Sequence, residues 1–306
     1  MNAVLIIDKP AGLTSHDVVN RMRRILRERS IGHLGTLDPM ATGVLPLVVG
    51  NFTRLAQFYL AADKTYEGVI HFGFSTDTYD AEGEATSAAQ GVTLSEERVR
   101  ELASRFQGAF EQVPPPFSAK KIKGVPAYKL ARKHEDVQLK AVQVEVKEFT
   151  ILSAKDDRVS FRAQVGSGTY MRSIAHDMGQ ALGCGAHLES LRRTAVSEFN
   201  IDDAHTLEEV DCANRADDLE SICIHPRKFL PQMPSVSATE ENAAYIRSGR
   251  PVNLPELSRA KLVKVFYGQR ELIAIASRVA GTLFHPKIVL IREPSHNPAN
   301  AIASAR

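Results

Sequence analysis

Gly32-His33-Leu34-Gly35-Thr36-Leu37-Asp38-Pro39-Met40-Ala41-Thr42-Gly43-Val44-Leu45-Pro46 sets one carboxylate among three glycines and two prolines. Pro39 biases Asp38 away from helical backbone angles toward an extended conformation. The glycines permit tight turns and let another backbone or a ligand come close. From Val44 to Val49 the run turns apolar and reads as a strand, with Pro46 suited to a sheet edge or a bulge. A lone ionisable group on such a stiffened loop can serve as nucleophile or general base. Asp-Pro by itself is also an ordinary turn initiator.

Outward from this loop, Ala3 to Ile7 is apolar and β-branched, which predicts a buried strand. Thr14 or Ser15 can cap a helix from about Asp17, whose acid suits the helix dipole. Val18, Val19, Met22, Ile25 and Leu26 form its apolar stripe, leaving Arg21, Arg23, Arg24 and Arg27 mostly on other faces. Residues 66–74 predict a strand and Ser75–Glu84 a polar loop. Residues 95–107 predict a helix, and 113–124 a Pro- and Lys-rich loop followed by a short helix near 126–134. Residues 141–152 and 158–165 alternate like paired antiparallel strands, and 170–182 reads as a helix stopped by Gly183. The regular alternation of a doubly wound parallel sheet is missing. The fold class is therefore mixed α/β (α+β), a domain of residues 1–234 built on antiparallel strands.

Pro226, Pro231 and Pro234 mark a linker into a second unit, 235–306. There Thr239 can cap a helix to Ser248, ended by Gly249. Residues 261–266, 271–277 and 288–291 are strand candidates, so this unit is small and β-rich; a disordered tail is expected from Ser295.

The 306 residues are 43% hydrophobic and 24% charged, ordinary for a soluble globular protein. Residues 3–7 are too few for a signal-peptide core, and no apolar stretch approaches the ~20 residues of a membrane span. Cys184, Cys212 and Cys223 lack metal-ligand spacing and read as reduced thiols. A cytoplasmic chain is expected. Residues 21–29 carry five arginines against one glutamate, and 117–134 carry six Lys/Arg and no acid. Such blocks fit a surface that tracks a nucleic-acid backbone, or solvated faces. Gly166-Ser167-Gly168-Thr169 lacks the Gly-Lys-Ser/Thr of a phosphate-binding loop, and Asp8-Lys9-Pro10 stands where a dinucleotide fingerprint would.

The run 32–46 resembles the catalytic motif of the bacterial TruB-type tRNA pseudouridine-55 synthases. Five further segments match the same family in order: Asp8–Val19, Lys64–Gly68, Pro115–Gly124, Gly168–Ile174 and His187–Thr194. The matches cover roughly residues 4 to 200, with a weaker likeness beyond. The resemblance implies a pseudouridine-synthase-like catalytic domain with a PUA-like RNA-binding C-terminal domain. It implies Asp38 as nucleophile, leaving open attack on the sugar C1′ or the uracil C6, with Arg172 as its paired cation. Tyr66 would stack on the target base and take or relay a proton, and Tyr170 and Leu191 would wall the base. His33 would bind RNA, and Lys120, Lys121 and Lys123 would meet its backbone. Lys9 would serve local structure or a phosphate. His176-Asp177 has no nucleophile elbow and reads as structural. The implied reaction needs no cofactor and no metal. The expected partner is the T-arm of tRNA, met by a monomer with no guide RNA and no membrane. The alternative is a non-catalytic RNA-binding or tRNA-folding helper; a family member with another RNA target is a third reading.

Overall fold

The computed structural model describes residues 1–118, 120–122, 125–126 and 139–291. The predicted helix near 126–134 falls largely outside them, as do the tail from Ser295 and Lys123.

Strand β1 (Ala3–Lys9) leads to helix α1 (Ser15–Ile25), whose N-cap is Thr14 in a reciprocal capping box with Asp17. Strands β2 (Ile31–His33) and β3 (Thr42–Val49) bracket the Asp38 loop. Then come β4 (Lys64–Phe72), helix α2 (Glu96–Ser104), β5 (Gly108–Gln112), and the two-residue strands β6 (Lys121–Ile122) and β7 (Val125–Pro126). The hairpin β8 (Val142–Lys155) and β9 (Arg158–Val165) precedes helix α3 (Met171–Leu182), which Gly183 ends at φ +73°. Strand β10 (Ala186–Val196), short β11 (Phe199–Asn200) and β12 (Ala204–His205), and helix α4 (Leu207–Arg215) complete the first unit.

The main sheet runs β12-β1-β3-β10-β4-β9-β8-β5, with β2 on β3 and β11 on β10. Its pairings are antiparallel except β1 with β12 and β3 with β10. Both faces of β1 and β3 are buried, which is why they read as unbroken apolar runs. Leu5, Ile7, Leu45 and Leu47 meet α1, α3 and α4 through Val18, Met22, Ile174 and Val210. Val4, Ile6, Val44 and Val48 face the other way, in one core with Phe52, Phe199 and Phe229 and with Phe266, Ile275 and Ile288 of a second sheet. That sheet holds β13 (Ser235–Ala238), β14 (Val252–Asn253), β15 (Leu262–Tyr267), β16 (Glu271–Ala280) and β17 (Leu283–Val289) in the order β13-β15-β16-β17-β14. Helix α5 (Glu240–Arg247), capped by Thr239, packs on it. The last strand begins five residues earlier than the sequence reading places it, at Leu283 rather than residue 288.

Pro46 corrects an expectation, because β3 is interior. Its carbonyl accepts from Leu34 N (2.9 Å), so the donorless nitrogen faces away from β1. On that side β2 pairs with residues 47–49 and β10 with residues 42–43, and Pro46 sits in the gap between them. The missing donor therefore removes no ladder bond.

Candidate active site

The Asp38 loop is held through its main-chain atoms by residues outside it. Arg193, on β10, is wholly buried. Its Nε donates to Val44 O (2.7 Å), Nη1 to Thr36 O (3.2 Å) and Nη2 to Gly35 O (2.9 Å). Ser15 Oγ both accepts from Leu37 N (2.8 Å) and donates to Leu37 O (3.2 Å). Pro39 O accepts from Gly12 N (2.8 Å) and from Lys9 Nζ (3.1 Å). A Cβ at Gly43, whose φ is +97°, would stand 2.2 Å from Arg193 O, so only glycine lets β10 approach here. Lysine in place of Arg193 offers one nitrogen where the fork offers three and leaves part-buried carbonyls without their donor. Arg193→Lys is expected to cost about 2–4 kcal/mol of stability, read from urea unfolding.

Asp38 is the exposed end of a buried ion cluster. Arg172, on the first turn of α3, is 5% exposed, and the Asp38 side chain 36%. Arg172 Nη2 donates to Asp38 Oδ1 (3.1 Å), while Nε stands 2.9 Å from Oδ2 as an ion contact outside hydrogen-bond alignment. The rest of the guanidinium is spent on the protein: Nη1 donates to Thr78 O (3.1 Å), and Nη2 also donates to Phe117 O (3.1 Å). Asp80 Oδ2 lies 3.5 Å from Nη1. Asp80 is itself buried; its Oδ1 accepts from Thr78 Oγ1 (2.5 Å) and Glu82 N (3.1 Å). Burial pushes its carboxyl up, against the pull of those bonds and of Arg172. Glu82 is also raised, by burial and then by Asp80 and Asp38.

Lys9 lies beneath the same loop, fully buried, donating to the carbonyls of Pro10 (2.8 Å), Leu13 (2.6 Å) and Pro39. Burial lowers its ammonium to about 8, with Asp38 and Glu82 pulling it back up. It serves local structure; the phosphate role considered for it is corrected, because its nitrogen is enclosed by main-chain oxygens.

Tyr170 caps α3, its backbone fixed by the buried Gln112 amide, which accepts from Tyr170 N (2.9 Å) and donates to Tyr170 O (3.0 Å). Burial raises its phenol, opposed by Ser118 and Arg172. Tyr66 lies in register with Arg193 across β4 and β10, and Leu191 with Gly68. Both are 8% exposed and share one core cluster with Leu37 and Met171, the residues preceding Asp38 and Arg172. His33, at the far end of the loop, accepts from Gly35 N through Nδ1 (3.4 Å). Burial and then the nearby Arg193 and His16 lower its imidazole, which favours the neutral ring. Lys120 is exposed, two residues from the buried Ser118; Lys121 lies in β6, and Lys123 is outside the described residues.

The structure thus brings Asp38, Arg172 and Tyr170 together, with Tyr66 and Leu191 on the same core wall. Sequence reasoning missed Asp80, Arg193 and Ser15. Thr78-x-Asp80 marks a turn, which is all its local signal says.

His176 and Asp177 lie on α3, four and five residues after Arg172. Asp177 makes no hydrogen bond or ion pair among the described residues, and burial pushes its carboxyl up to about 6. Between about pH 4 and 6 the folded chain holds a proton that the unfolded chain has released, so stability falls as pH rises through that window. Asp177→Asn removes the half-buried charge and is expected to gain about 1–3 kcal/mol at pH 7.5. The gain should vanish near pH 4, and urea unfolding at both pH values checks it.

Among the described residues no helix is long and apolar enough to cross a membrane. Residues 23–171 match the TruB family pseudouridylate synthase N-terminal domain, and residues 172–230 match the tRNA pseudouridylate synthase B C-terminal domain. The boundary falls between Met171 and Arg172, so the ion pair joins the two matched segments. The tRNA pseudouridine synthase B of Solibacter usitatus is 49% identical over 294 residues, 95% of this chain and all of the relative. That of Aquifex aeolicus is 37% identical over 293 residues, again 95% of this chain and all of the relative. A chain in the crystal structure of a Cbf5-Nop10-Gar1 complex superimposes with a TM-score of 0.70 at 25% identity, covering 95% of this chain and 85% of that one. With both matched segments meeting at the Asp38–Arg172 pair, the chain belongs to the TruB family of pseudouridylate synthases.

Proposed function

We propose that this chain converts one uridine of the tRNA T-loop, at position 55, to pseudouridine, with Asp38 as the nucleophile. The observation that carries the reading is the Asp38–Arg172 pair: a partly exposed carboxylate on a backbone-clamped loop, backed by a buried guanidinium. In the overall change the bond from uracil N1 to C1′ breaks and one from C5 to C1′ forms. C5 gives up a proton and N1 gains one, so the reaction is a redox-neutral isomerisation and needs no cofactor or metal. Asp38 holds the intermediate covalently and is released unchanged.

A base inside a folded RNA loop must be extruded to reach Asp38. Stacking on Tyr66 would return about 1–3 kcal/mol of that cost, with Tyr170 and Leu191 walling the base and the Tyr66 phenol taking or relaying the C5 proton. Neutral His33 binds the nucleotide, and Lys120, Lys121 and Lys123 track the backbone. Residues 1–234 form the catalytic domain, and the PUA-like unit, 235–306, adds RNA contact. The chain works as a monomer in the cytoplasm without guide RNA.

Carbodiimide labelling and primer extension on an unmodified tRNA transcript test the assignment. The expected result is one new stop, one nucleotide 3′ of the T-loop uridine, lost when position 55 is cytidine. A stop elsewhere, or none, would refute the target.

A further inference from the structure

Tyr79 stands between the two groups that hold Arg172 from behind. Thr78 gives its carbonyl to Arg172 Nη1 (3.1 Å), and Asp80 places its carboxylate 3.5 Å from the same nitrogen. Tyr79 between them turns its own carbonyl to Leu188 N of β10 (3.0 Å). That reversal needs a left-handed residue, and Tyr79 sits at φ +65°. A bulky side chain rarely adopts this backbone and persists there only when its surroundings enforce it.

The Tyr79 ring meets His176. The two rings stack with centroids 3.8 Å apart and planes 11° from parallel. His176 lies four residues after Arg172 on α3, hence on the same helix face. The segment that grips the guanidinium is thereby fastened to the helix that carries it. Glycine would take the left-handed backbone without strain, yet the position holds an aromatic ring.

We propose that the Tyr79–His176 stack is a positioning device, holding Thr78 O and Asp80 against Arg172 so that its guanidinium presents a fixed edge to Asp38. This rests on the reading of Asp38 and Arg172 as the reactive pair. Neither ring is a catalytic residue; both act through Arg172.

The test uses the full chain and an unmodified tRNA transcript, with single-turnover rate and tRNA Kd measured separately and folding checked by thermal melting. Tyr79→Phe keeps the stack and is expected to react like the wild type. Tyr79→Ala keeps the strain without the ring, and its rate is expected to fall about 10²-fold with Kd unchanged. Tyr79→Gly removes ring and strain together and should fall between them, which also serves if the alanine variant does not fold. His176→Ala should match Tyr79→Ala, and the double variant should be no slower than either. Wild-type rates in Tyr79→Ala and Tyr79→Gly, a loss confined to Kd, or multiplicative losses in the double variant would each overturn the proposal. An inactive wild type would instead overturn the reading of Asp38 and Arg172, and the proposal with it.

Discussion

Asp38→Asn is expected to lower the single-turnover rate by at least ~10⁴-fold, as loss of a nucleophile does, while tRNA affinity stays near that of the wild type. Asparagine keeps the shape of the side chain but replaces the anionic carboxylate with a neutral amide, whose oxygen is a poor nucleophile. The fold should survive, because Arg172 keeps Asp80 and the carbonyls of Thr78 and Phe117. The loop should survive as well, since Arg193, Ser15 and Lys9 hold main-chain atoms rather than the carboxylate. Single-turnover assays beside filter binding check the result; a rate within tenfold of the wild type would remove Asp38 from the chemistry.

Arg172→Lys should be folded and slow, with a rate about 10²-fold down from misplacement of the carboxylate. One guanidinium serves Asp38, Asp80, Thr78 O and Phe117 O at once. An ammonium is a point charge and cannot reach that set with the same geometry. It does keep a cation near Asp80, so most of the stability should remain. Arg172→Ala differs, because it leaves the buried Asp80 carboxylate without its cation. That is expected to cost about 3–5 kcal/mol in urea unfolding. A near-normal single-turnover rate in Arg172→Lys would count against the positioning role. Equal stability of the lysine and alanine variants would count against the buried pair.

Much of this arrangement is legible in the chain because it is local. The capping box of Thr14 and Asp17, the glycine stop after α3 and the alternation of β8 and β9 announce themselves within a few residues. Strand β10 does not. It carries irregularities between Leu188 and Ser190 and between Arg193 and Ala195, which shift its alternation, and its Arg193 is a buried charge where a hydrophobe would be expected. Yet β10 joins the Asp38 side of the sheet to the Tyr66 side, so the centre of the sheet is the part hardest to read.

The site divides in the same way. Asp38 stands out because Pro39 and its glycines stiffen a loop around one carboxylate. Its pairing with Arg172, 134 residues away, follows from the family resemblance and not from local pattern. Asp80 has only a turn signal, and its burial against Arg172 is a product of how the loop after β4 folds back onto β10. Lys9 has the composition of a phosphate contact, and only the enclosing carbonyls of residues 10, 13 and 39 reveal it as structural.

Tritium release from tRNA transcripts labelled at uridine C5 reads the chemistry itself, since the isomerisation must expel that proton. The wild type is expected to release one tritium per tRNA labelled at the T-loop uridine, and Asp38→Asn none. No release from tRNA that the wild type demonstrably binds would contradict it, and would favour a protein that holds RNA without changing it.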